Sequence, residues 1–265
     1  MRQIPPSAAS PGPGETIDQI IGDWWVYQLK DGHRFSTDDL LTAWRAATWR
    51  PQARRLLDLG CGIGSVGTYT LGILGHPDAT LTGIEAQDVS IELNRRSVAL
   101  NGLTDRVTLH HGDLRDSASM LGETRFEVVT GSPPYIPLGK GVVSKHPQRA
   151  ACRFELRGSV YDYCQAAKRH LEPGGTFTYV MSARDPRTDD APSASGLAVV
   201  ERFDVVFRSG DAPMIRVVTC MHDDTPDLPS MTTDCLVIRE SDGSMSERYA
   251  QLRRSFGWSV DGPTR

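Results

Sequence analysis

Strand and helix patterns alternate along most of this 265-residue sequence, and this alternation limits the possible folds more than any other feature. Strand-like runs such as RRLLDLG (54–60), ATLTGIEA (79–86) and RFEVVTG (125–131) are each followed by a segment with helical patterning. Strands separated by helices form βαβ units, which place the strands parallel in one sheet. The sequence therefore predicts an α/β fold with a mostly parallel sheet and helices on both of its faces.

Further elements follow from the same patterns. Helices are predicted over 36–49, 65–74, 90–101, near 116–121 and over 159–171, and further strands over 23–29, 106–113 and 174–181. Three strand-like runs at 203–209, 214–222 and 234–241 come later, with no long helix between the last two. We expect these three runs to form an antiparallel edge of the sheet. The polar segment 183–196 is predicted to be a loop.

Composition indicates one globular domain in a reducing compartment. The chain is 39% hydrophobic and 23% charged, with a formal net charge of -4 and five cysteines that form no C-x-x-C pair. This pattern predicts neither a disulfide framework nor a metal site, and we expect a cytoplasmic protein without a membrane span. The predicted organisation is a disordered tail (1–15), an N-terminal extension (16–50), the main domain (51–245) and a C-terminal helix or tail (246–265).

Candidate ligand-binding residues lie where the predicted strands end, the edge at which open α/β sheets bind ligands. The turn DLGCGIGS (58–65) carries Gly60, Gly62 and Gly64, which allow a tight bend and a close approach of the backbone to a ligand. Glu85 ends the next strand, where a carboxylate can accept hydrogen bonds from both ribose hydroxyls. Asp113 ends the third strand, either as an acceptor for an exocyclic amine or as the cap of the following short helix.

The stretch GSPPYIPLGKG (131–141) ends the fourth strand with a stiff corner. Pro133 and Pro134 have fixed φ angles and no N–H, so the strand cannot continue there. Such a corner can hold a carbonyl and the Ser132 hydroxyl outward as acceptors, with Tyr135 as a stacking surface. Two acceptors on a planar amine, together with an aromatic ring on its face, would prepare the nitrogen as a nucleophile.

Basic residues follow this corner. The segment 140–157 contains one acid and these candidate substrate-binding residues: Lys140, Lys145, Arg149, Arg153 and Arg157. The three arginines are spaced by four residues, so they would share one face of a helix. A basic face beside the corner indicates contact with nucleic-acid phosphates, the alternative being a solvated surface. Trp24, Trp25 and Tyr27 are typical of strand packing, with base stacking as the alternative.

The motifs together resemble those of class I S-adenosylmethionine-dependent methyltransferases that modify planar amines. The resemblance covers about residues 35–182 and rests on DLGCGIG, GIEA, NRRSVALNGLTDRV, HGDL and SPPY, in that order. FSTDDLLTAW and SPPYIPLGKGVVSKHPQRAACRFELRGSVYDYC are further similar to bacterial tRNA adenine-N6 methyltransferases, which act on the adenosine beside the anticodon of a valine tRNA.

The resemblance implies a seven-stranded Rossmann-like sheet, S-adenosylmethionine as cofactor and RNA, in particular tRNA, as partner. It implies that Asp58 and the three glycines hold the methionine and ribose parts of the cofactor, and that Asp113 and Leu114 contact its adenine. Three further residues would close the cofactor pocket from the N-terminal side: Phe35, Thr37 and Asp38.

Ser132 departs from the family pattern, in which Asn opens the four-residue motif. Ser-Pro-Pro-Tyr also resembles cytosine-N4 DNA methyltransferases, and Asn-Pro-Pro-Tyr is shared with enzymes that methylate a glutamine side chain in release factors. Adenine-N6 methylation of RNA is the predicted activity. The alternatives are methylation of DNA, of protein glutamine or of a small-molecule amine, and a non-catalytic binder of RNA or protein with the same fold.

Overall fold

Strands and helices alternate along residues 10–258, the part of the chain that the computed structural model describes. Across these residues the strands are β1 (Glu15–Ile21), β2 (Trp24–Leu29), β3 (Arg55–Leu59), β4 (Thr80–Glu85), β5 (Val107–His111), β6 (Phe126–Gly131), β7 (Leu171–Ser182), β8 (Leu197–Arg208), β9 (Ile215–His222) and β10 (Thr232–Arg239). The α-helices are α1 (Thr37–Trp49), α2 (Ser65–Leu74), α3 (Asp88–Leu100), α4 (Ser117–Leu121), α5 (Pro147–Arg153), α6 (Val160–His170), α7 (Arg187–Ala194) and α8 (Glu247–Ser255). The predicted α/β class is confirmed.

The main sheet has eight strands in the order β10-β8-β9-β7-β6-β3-β4-β5, so the predicted number of seven is wrong by one. The five strands from β7 to β5 run parallel, as predicted. Because these five strands are parallel, their carboxyl ends all lie at the same edge of the sheet. That edge is where ligands bind in open α/β sheets.

The C-terminal edge of the sheet differs from the prediction. Strand β9 is antiparallel to both β7 and β8, but β10 pairs parallel with β8. Because β9 runs antiparallel to β8, the last residue of β9 lies beside the first residue of β8. The connection 223–231 therefore needs only to pass the start of β8 to place β10 beside it in the same direction.

Alternate residues of the strands pack into layers on the two faces of the sheet. On one face, Leu56 and Val128 pack in a cluster with residues of α1, α2 and α3. On the other face, Leu57 and Val129 pack in a cluster with residues of α6 and α7. Successive side chains of a strand point to opposite faces of the sheet, and both faces are covered, so neighbouring apolar residues in one strand are all buried. This packing confirms the predicted helices on both faces.

The segment 183–196, predicted as a loop, contains helix α7. Its polar composition conceals buried contacts: Thr188 and Ala191 are fully buried, and the Tyr179 hydroxyl donates to the Thr188 carbonyl. Asp189 forms ion pairs with Arg202 and Arg216. Packing and paired charges thus stabilise a helix that the local sequence does not indicate.

The N-terminal strands form a separate antiparallel hairpin that packs against α3. Asn101 accepts a hydrogen bond from the Trp25 N–H and donates to the Trp25 carbonyl, at 2.7 and 2.8 Å. Trp25 and Tyr27 are buried in the core and Trp24 is partly buried, which is the packing role expected of strand aromatics. The burial of these rings does not support the alternative that they stack on nucleobases.

Both ends of the chain extend past the described residues. Residues 1–9 of the segment predicted as a disordered tail (1–15) lie outside the described residues. Strand β1 begins at Glu15, the last residue of that segment. In the predicted C-terminal segment, α8 is described and residues 259–265 are not. No helix within residues 10–258 is both long and apolar enough to cross a membrane.

Candidate active site

A cavity of about 500 Å³ lies at the carboxyl ends of β3, β4 and β6. Its walls come from the turns that follow these strands, from the segment 32–39 before and within the start of α1, and from the segment 149–157. These strands are neighbours in the sheet, so the turns that follow them converge on one space. The cavity therefore collects most of the residues that the sequence predicts as a site.

The glycine turn after β3 forms the floor of the cavity, with Gly60 and Gly62 among the lining residues and Gly64 not among them. Gly60, Gly62 and Gly64 have φ angles of +59°, +55° and +88°, the left-handed region in which a side chain is strained. A Cβ at Gly60 would lie 2.1 Å from the Tyr163 hydroxyl, and one at Gly64 would lie 2.4 Å from Oδ1 of Asn94. The three glycines thus let the backbone bend into the start of α2 while neighbouring side chains pack directly against it.

Two buried carboxylates support this turn. Asp58 accepts hydrogen bonds from the Gly67 N–H at 3.0 Å and from the Thr130 hydroxyl at 2.7 Å. Glu85 accepts from the Gly62 N–H at 2.9 Å and from the Gln87 N–H at 2.7 Å. Both side chains line the cavity, and burial raises the pKa of Asp58 to about 6 and raises the pKa of Glu85. A carboxylate has more than two acceptor positions, so each can also accept from a ligand.

Asp113 and Leu114 also line the cavity, after β5. Asp113 caps the short 3-10 turn at Leu114–Asp116 by accepting from the Arg115 N–H at 2.9 Å, one of its two predicted roles. The Arg115 guanidinium binds both of its oxygens, at 2.9 and 2.6 Å, and this hydrogen bonding lowers the pKa of Asp113. The structure thus has the capping contact, and Asp113 reaches the cavity as a carboxylate already paired with a cation.

The three predicted N-terminal residues occupy different places. Asp38 lines the cavity. Phe35 lies behind the wall, with its ring centroid 6.2 Å from that of Tyr69 and 6.5 Å from that of Trp258. The Thr37 hydroxyl lies 3.4 Å from the Tyr249 hydroxyl, on the side of helix α8. Phe35 and Thr37 therefore support the wall, and Asp38 is the residue of this group that forms part of its inner surface.

Asp39 lines the cavity and was not predicted as a site residue. Its carboxylate accepts from the Ser36 N–H and from the Ser65 hydroxyl, both at 3.0 Å, and so joins the starts of α1 and α2. The side chain is buried, which raises its pKa to about 7. The available signal was the S-x-x-D spacing from Ser36, which the sequence analysis interpreted only as a helix start.

The corner after β6 faces the same cavity. Ser132, Pro134 and Tyr135 line it, and Pro133 is not among the lining residues. The Tyr135 hydroxyl donates a hydrogen bond to Asp38, and burial raises the pKa of Tyr135 well above its ordinary value. Tyr135 is therefore a neutral donor whose ring is fixed against the start of α1.

The basic segment divides into two groups. Arg149, Arg153 and Arg157 line the cavity, and Lys140 and Lys145 lie outside it, on the loop between the corner and α5. The three arginines would share one face only if the segment were helical throughout, and this condition is not met at Arg157, because α5 ends at Arg153. The chain then extends, and Phe154 forms a parallel bridge with Ile136.

Helix α5 is attached to the opposite wall by Gln148, another residue that the sequence analysis missed. Gln148 is buried, accepts from the His33 N–H at 3.0 Å and donates to the Ser90 hydroxyl at 3.1 Å. The Arg149 guanidinium donates to the Gly32 carbonyl at 3.3 Å. These contacts join residues 58 to 117 positions apart, and no local pattern indicates them.

The walls of the cavity carry opposite charges. Four carboxyl groups line the cavity beside the glycine turn and α1: Asp38, Asp39, Asp58 and Glu85. Arg34 and Asp113 also line it, but each is paired with an opposite charge, Arg34 with Asp18 and Asp113 with Arg115. Arginines 149, 153 and 157 lie on the side of α5 and the residues after it. A ligand that has cationic groups beside the turn and anionic groups towards α5 would match this distribution.

Comparison with known proteins shows that the chain is similar to methyltransferases, the class that the sequence motifs resemble. The sequence profile of the methyltransferase small domain matches residues 35–189. The chain is 25% identical, over 217 residues, to a tRNA1(Val) (adenine(37)-N6)-methyltransferase from Actinobacillus succinogenes, covering 82% of this chain and 86% of that protein. It is 32% identical, over 170 residues, to a ribosomal protein uL3 glutamine methyltransferase from Bradyrhizobium diazoefficiens, covering 61% of this chain and 46% of that protein.

Among solved structures, a predicted O-methyltransferase from Agrobacterium tumefaciens superimposes with a TM-score of 0.61 at 19% identity. The match covers 84% of this chain and 98% of that protein. At this level of identity the likeness concerns the fold.

Proposed function

The chain belongs to the methyltransferase small domain family, and we propose that it transfers a methyl group from S-adenosylmethionine to the exocyclic N6 of an adenine in RNA, with tRNA as the favoured substrate. The observation that carries this proposal is the position of the Ser132–Tyr135 corner on the same cavity as the glycine turn. A cofactor held over the turn would present its methyl group to an amine held at the corner. The similarity to the Actinobacillus enzyme over most of both chains supports adenine in tRNA as the target.

The four carboxyl groups beside the glycine turn and α1, which we call the acidic wall, fit this cofactor. S-adenosylmethionine supplies an electrophilic methyl group on a sulfonium cation, and it also carries an ammonium group. Buried carboxylates at Asp39, Asp58 and Glu85 provide complementary charge for these cations, and Glu85 has acceptor positions left for ribose hydroxyls. Asp58 and the three glycines would hold the methionine and ribose parts, and Leu114 with Asp113 would contact the adenine.

The corner would orient the target amine. The Ser132 hydroxyl, which lines the cavity, would accept one N–H group of the amine. The family resemblance gives the Pro133 carbonyl as the acceptor of the other, so Pro133, which is not among the lining residues, would have to turn this carbonyl towards the substrate. Ser132 can accept only when its own proton is donated elsewhere, a condition that an Asn carbonyl at this position would not impose. The Tyr135 ring, fixed by Asp38, would stack on the base.

Methyl transfer then needs alignment more than acid–base assistance. Bound S-adenosylmethionine would supply the methyl carbon: the amine lone pair would form the N–C bond while the S–C bond broke and its electron pair stayed on sulfur. The nitrogen would become acidic as its lone pair is consumed, so its proton would leave late, to water. Residues of this chain contribute by orientation and by the electrostatic environment of the cavity.

The basic segment favours RNA over a neutral substrate. Arg149, Arg153 and Arg157 inside the cavity, with Lys140 and Lys145 outside it, would bind phosphates on either side of the target nucleotide. A second candidate is methylation of a protein glutamine, favoured by the 32% identity to the uL3 enzyme over 170 residues. The planar amide of glutamine presents the same pair of N–H groups to the corner.

The deciding experiment is methyl transfer from labelled S-adenosylmethionine to three substrates in parallel: unfractionated tRNA, a DNA oligonucleotide pool, and ribosomal protein uL3 with a release factor. Mass analysis of nucleosides and peptides identifies the product. N6-methyladenosine in tRNA is the expected result. Label in cytosine, in DNA or in glutamine would overturn the proposal, and a Tyr135→Ala variant run beside the wild type excludes a contaminating enzyme.

A further inference from the structure

The loop 137–146, between the corner and α5, exposes large apolar side chains beside the candidate site. Leu138, Val142 and Val143 are 60%, 95% and 50% exposed. Single exposed apolar residues are ordinary on protein surfaces, but here three lie in one short loop whose flanking residues, Ile136 and Arg149, line the cavity, and this indicates a contact surface. We call these three side chains the apolar tip.

The base of this loop is fixed to the site. Ile136 follows Tyr135, donates its N–H to the Arg153 carbonyl at 3.0 Å and accepts from the Glu155 N–H at 3.0 Å. Gly139 and Gly141 have φ angles of +84° and +81°, so the backbone between them turns in a way that favours glycine. The apolar tip is therefore carried on a short arch whose foot is connected directly to the corner that would hold the target amine.

The charge around the apolar tip indicates what it contacts. The chain as a whole has a net charge of -4, but residues 128–154 contain no aspartate or glutamate. Lys140 and Lys145 flank Val142 and Val143 on either side. A partner that combines flat apolar faces with a regular array of negative charge matches this surface, and single-stranded RNA has both.

We propose that the apolar tip packs against the nucleobases next to the target nucleotide in RNA, with Lys140 and Lys145 on the flanking phosphates. The proposal rests on the function proposed above and adds a surface to it. A base that enters the cavity leaves its former stacking partners uncovered. Leu138, Val142 and Val143 would cover those exposed faces, as apolar wedges do beside unstacked bases in other complexes.

The test compares two surface variants with a matched control, using unfractionated tRNA as the probe. Val142→Ser/Val143→Ser removes apolar contact, and Lys140→Ala/Lys145→Ala removes charge. Met231→Ser is the control, because Met231 is 45% exposed and precedes β10, at the opposite edge of the sheet from the cavity. Each protein is measured for tRNA affinity over a series of salt concentrations, for S-adenosylmethionine affinity and for melting temperature.

We expect the double valine variant to bind tRNA about tenfold more weakly at every salt concentration, with an unchanged slope of affinity against salt. The double lysine variant should lower that slope by between about one and two, since each phosphate contact contributes roughly 0.7 to 0.9. Cofactor affinity and melting temperature should stay at the wild-type values in both, and the control should match the wild type throughout.

Wild-type tRNA affinity in the double valine variant would overturn this inference and leave the proposed function intact, provided that the wild type forms N6-methyladenosine. Weakened binding of uL3 or a release factor by the same variant, in a wild type that labels glutamine, would assign the loop to a protein partner. That result would overturn both proposals, and the wild-type labelling pattern distinguishes it from the first outcome.

Discussion

The Tyr135 hydroxyl lies 3.0 Å from an oxygen of Asp38, so the corner after β6 is hydrogen bonded to the first turn of α1. The two residues are 97 positions apart in the chain. This contact joins the part of the cavity that would hold the target amine to the part that would close over the cofactor. The angle of the Tyr135 ring thus depends on a residue of the N-terminal extension.

Tyr135→Ala should lower the turnover number by about 100-fold, because base–aromatic stacking contributes roughly 1–3 kcal/mol. Tyr135→Phe keeps the ring and loses the hydrogen bond to Asp38, so we expect a smaller loss, of about tenfold. Single-turnover kinetics and titration with S-adenosylmethionine separate the effects. Cofactor affinity should stay within about twofold of the wild type in both variants, and a larger loss of cofactor affinity than of turnover would contradict the assigned role.

Asp58→Ala should weaken S-adenosylmethionine binding by about 100-fold. Asp58 is a buried carboxyl group that lines the cavity, so the variant removes a charged partner for the cofactor, worth about 1.5–3 kcal/mol, and also removes the support that the Gly67 N–H and the Thr130 hydroxyl give to the turn. Calorimetric titration measures the affinity, and Asp78→Ala is the control, since Asp78 is an exposed acid paired with Arg54. Undiminished cofactor affinity in Asp58→Ala would show that this carboxylate does not organise the site.

Gly64→Ala should lower the melting temperature and abolish detectable cofactor binding. The new Cβ would lie 2.4 Å from Oδ1 of Asn94 and would also be held at a φ of +88°. Gly75→Ala is a matched control, because Gly75 is also in the left-handed region, with φ +66° and ψ +8°, and the nearest atom to its added Cβ is the Gly72 carbonyl oxygen at 4.0 Å. The control should lose only the backbone term, about 1–2 kcal/mol of unfolding free energy, and keep its cofactor affinity. Equal losses in the two variants would mean that Asn94 moves aside.

The stability of the cofactor-free protein should fall as the pH rises from about 4 to about 7. Burial raises the pKa of Asp39 from 3.8 to about 7, so the unfolded chain releases this proton first and is favoured as the pH increases through that window. Since one pKa unit corresponds to about 1.4 kcal/mol, the loss from Asp39 is on the order of 3 kcal/mol. Thermal unfolding of the wild type and Asp39→Asn measures it. The variant should show a flatter profile, and parallel profiles would contradict the raised pKa.

Affinity for S-adenosylmethionine should increase over the same pH range. The cationic cofactor favours ionised carboxyl groups, so its binding should release protons from Asp39 and from Asp58, whose pKa burial raises to about 6. Calorimetric titrations in two buffers with different ionisation enthalpies count the released protons. We expect net release near pH 6.5 and less of it in Asp39→Asn. Proton uptake on binding would mean that the acidic wall does not face the cations.

Local patterns were sufficient for the elements whose stability is local. The helix after the glycine turn was predicted from Ser65 to Leu74, and the structure gives the same bounds, because the turn and the apolar pattern lie in one short stretch. Helix α7 was missed, since Thr188 and Asp189 are held by residues of other elements. The direction of β10 was likewise set by where β9 ends.

The residues of the candidate site fall into the same two groups, those that local patterns predict and those that contacts with distant segments define. Residues at the ends of β3, β4 and β6 were found because strand order alone brings them to one edge. Asp39 and Gln148 were not, because hydrogen bonds to distant segments define their roles: Ser65 for Asp39 on the cavity surface, and His33 and Ser90 for Gln148 behind it. Such pairings have no period in the sequence, so the walls that close a site are harder to predict than its floor.

The packing of Phe35 and Thr37 against the C-terminal residues Trp258 and Tyr249 has a consequence for synthesis of the protein. The Trp258 indole also donates a hydrogen bond to the Ile20 carbonyl. The N-terminal wall emerges first from the ribosome, but its supports emerge last. A nascent chain that already contains the glycine turn and the corner therefore lacks part of the packing behind this wall, and that packing is complete only after residue 258 has left the exit tunnel.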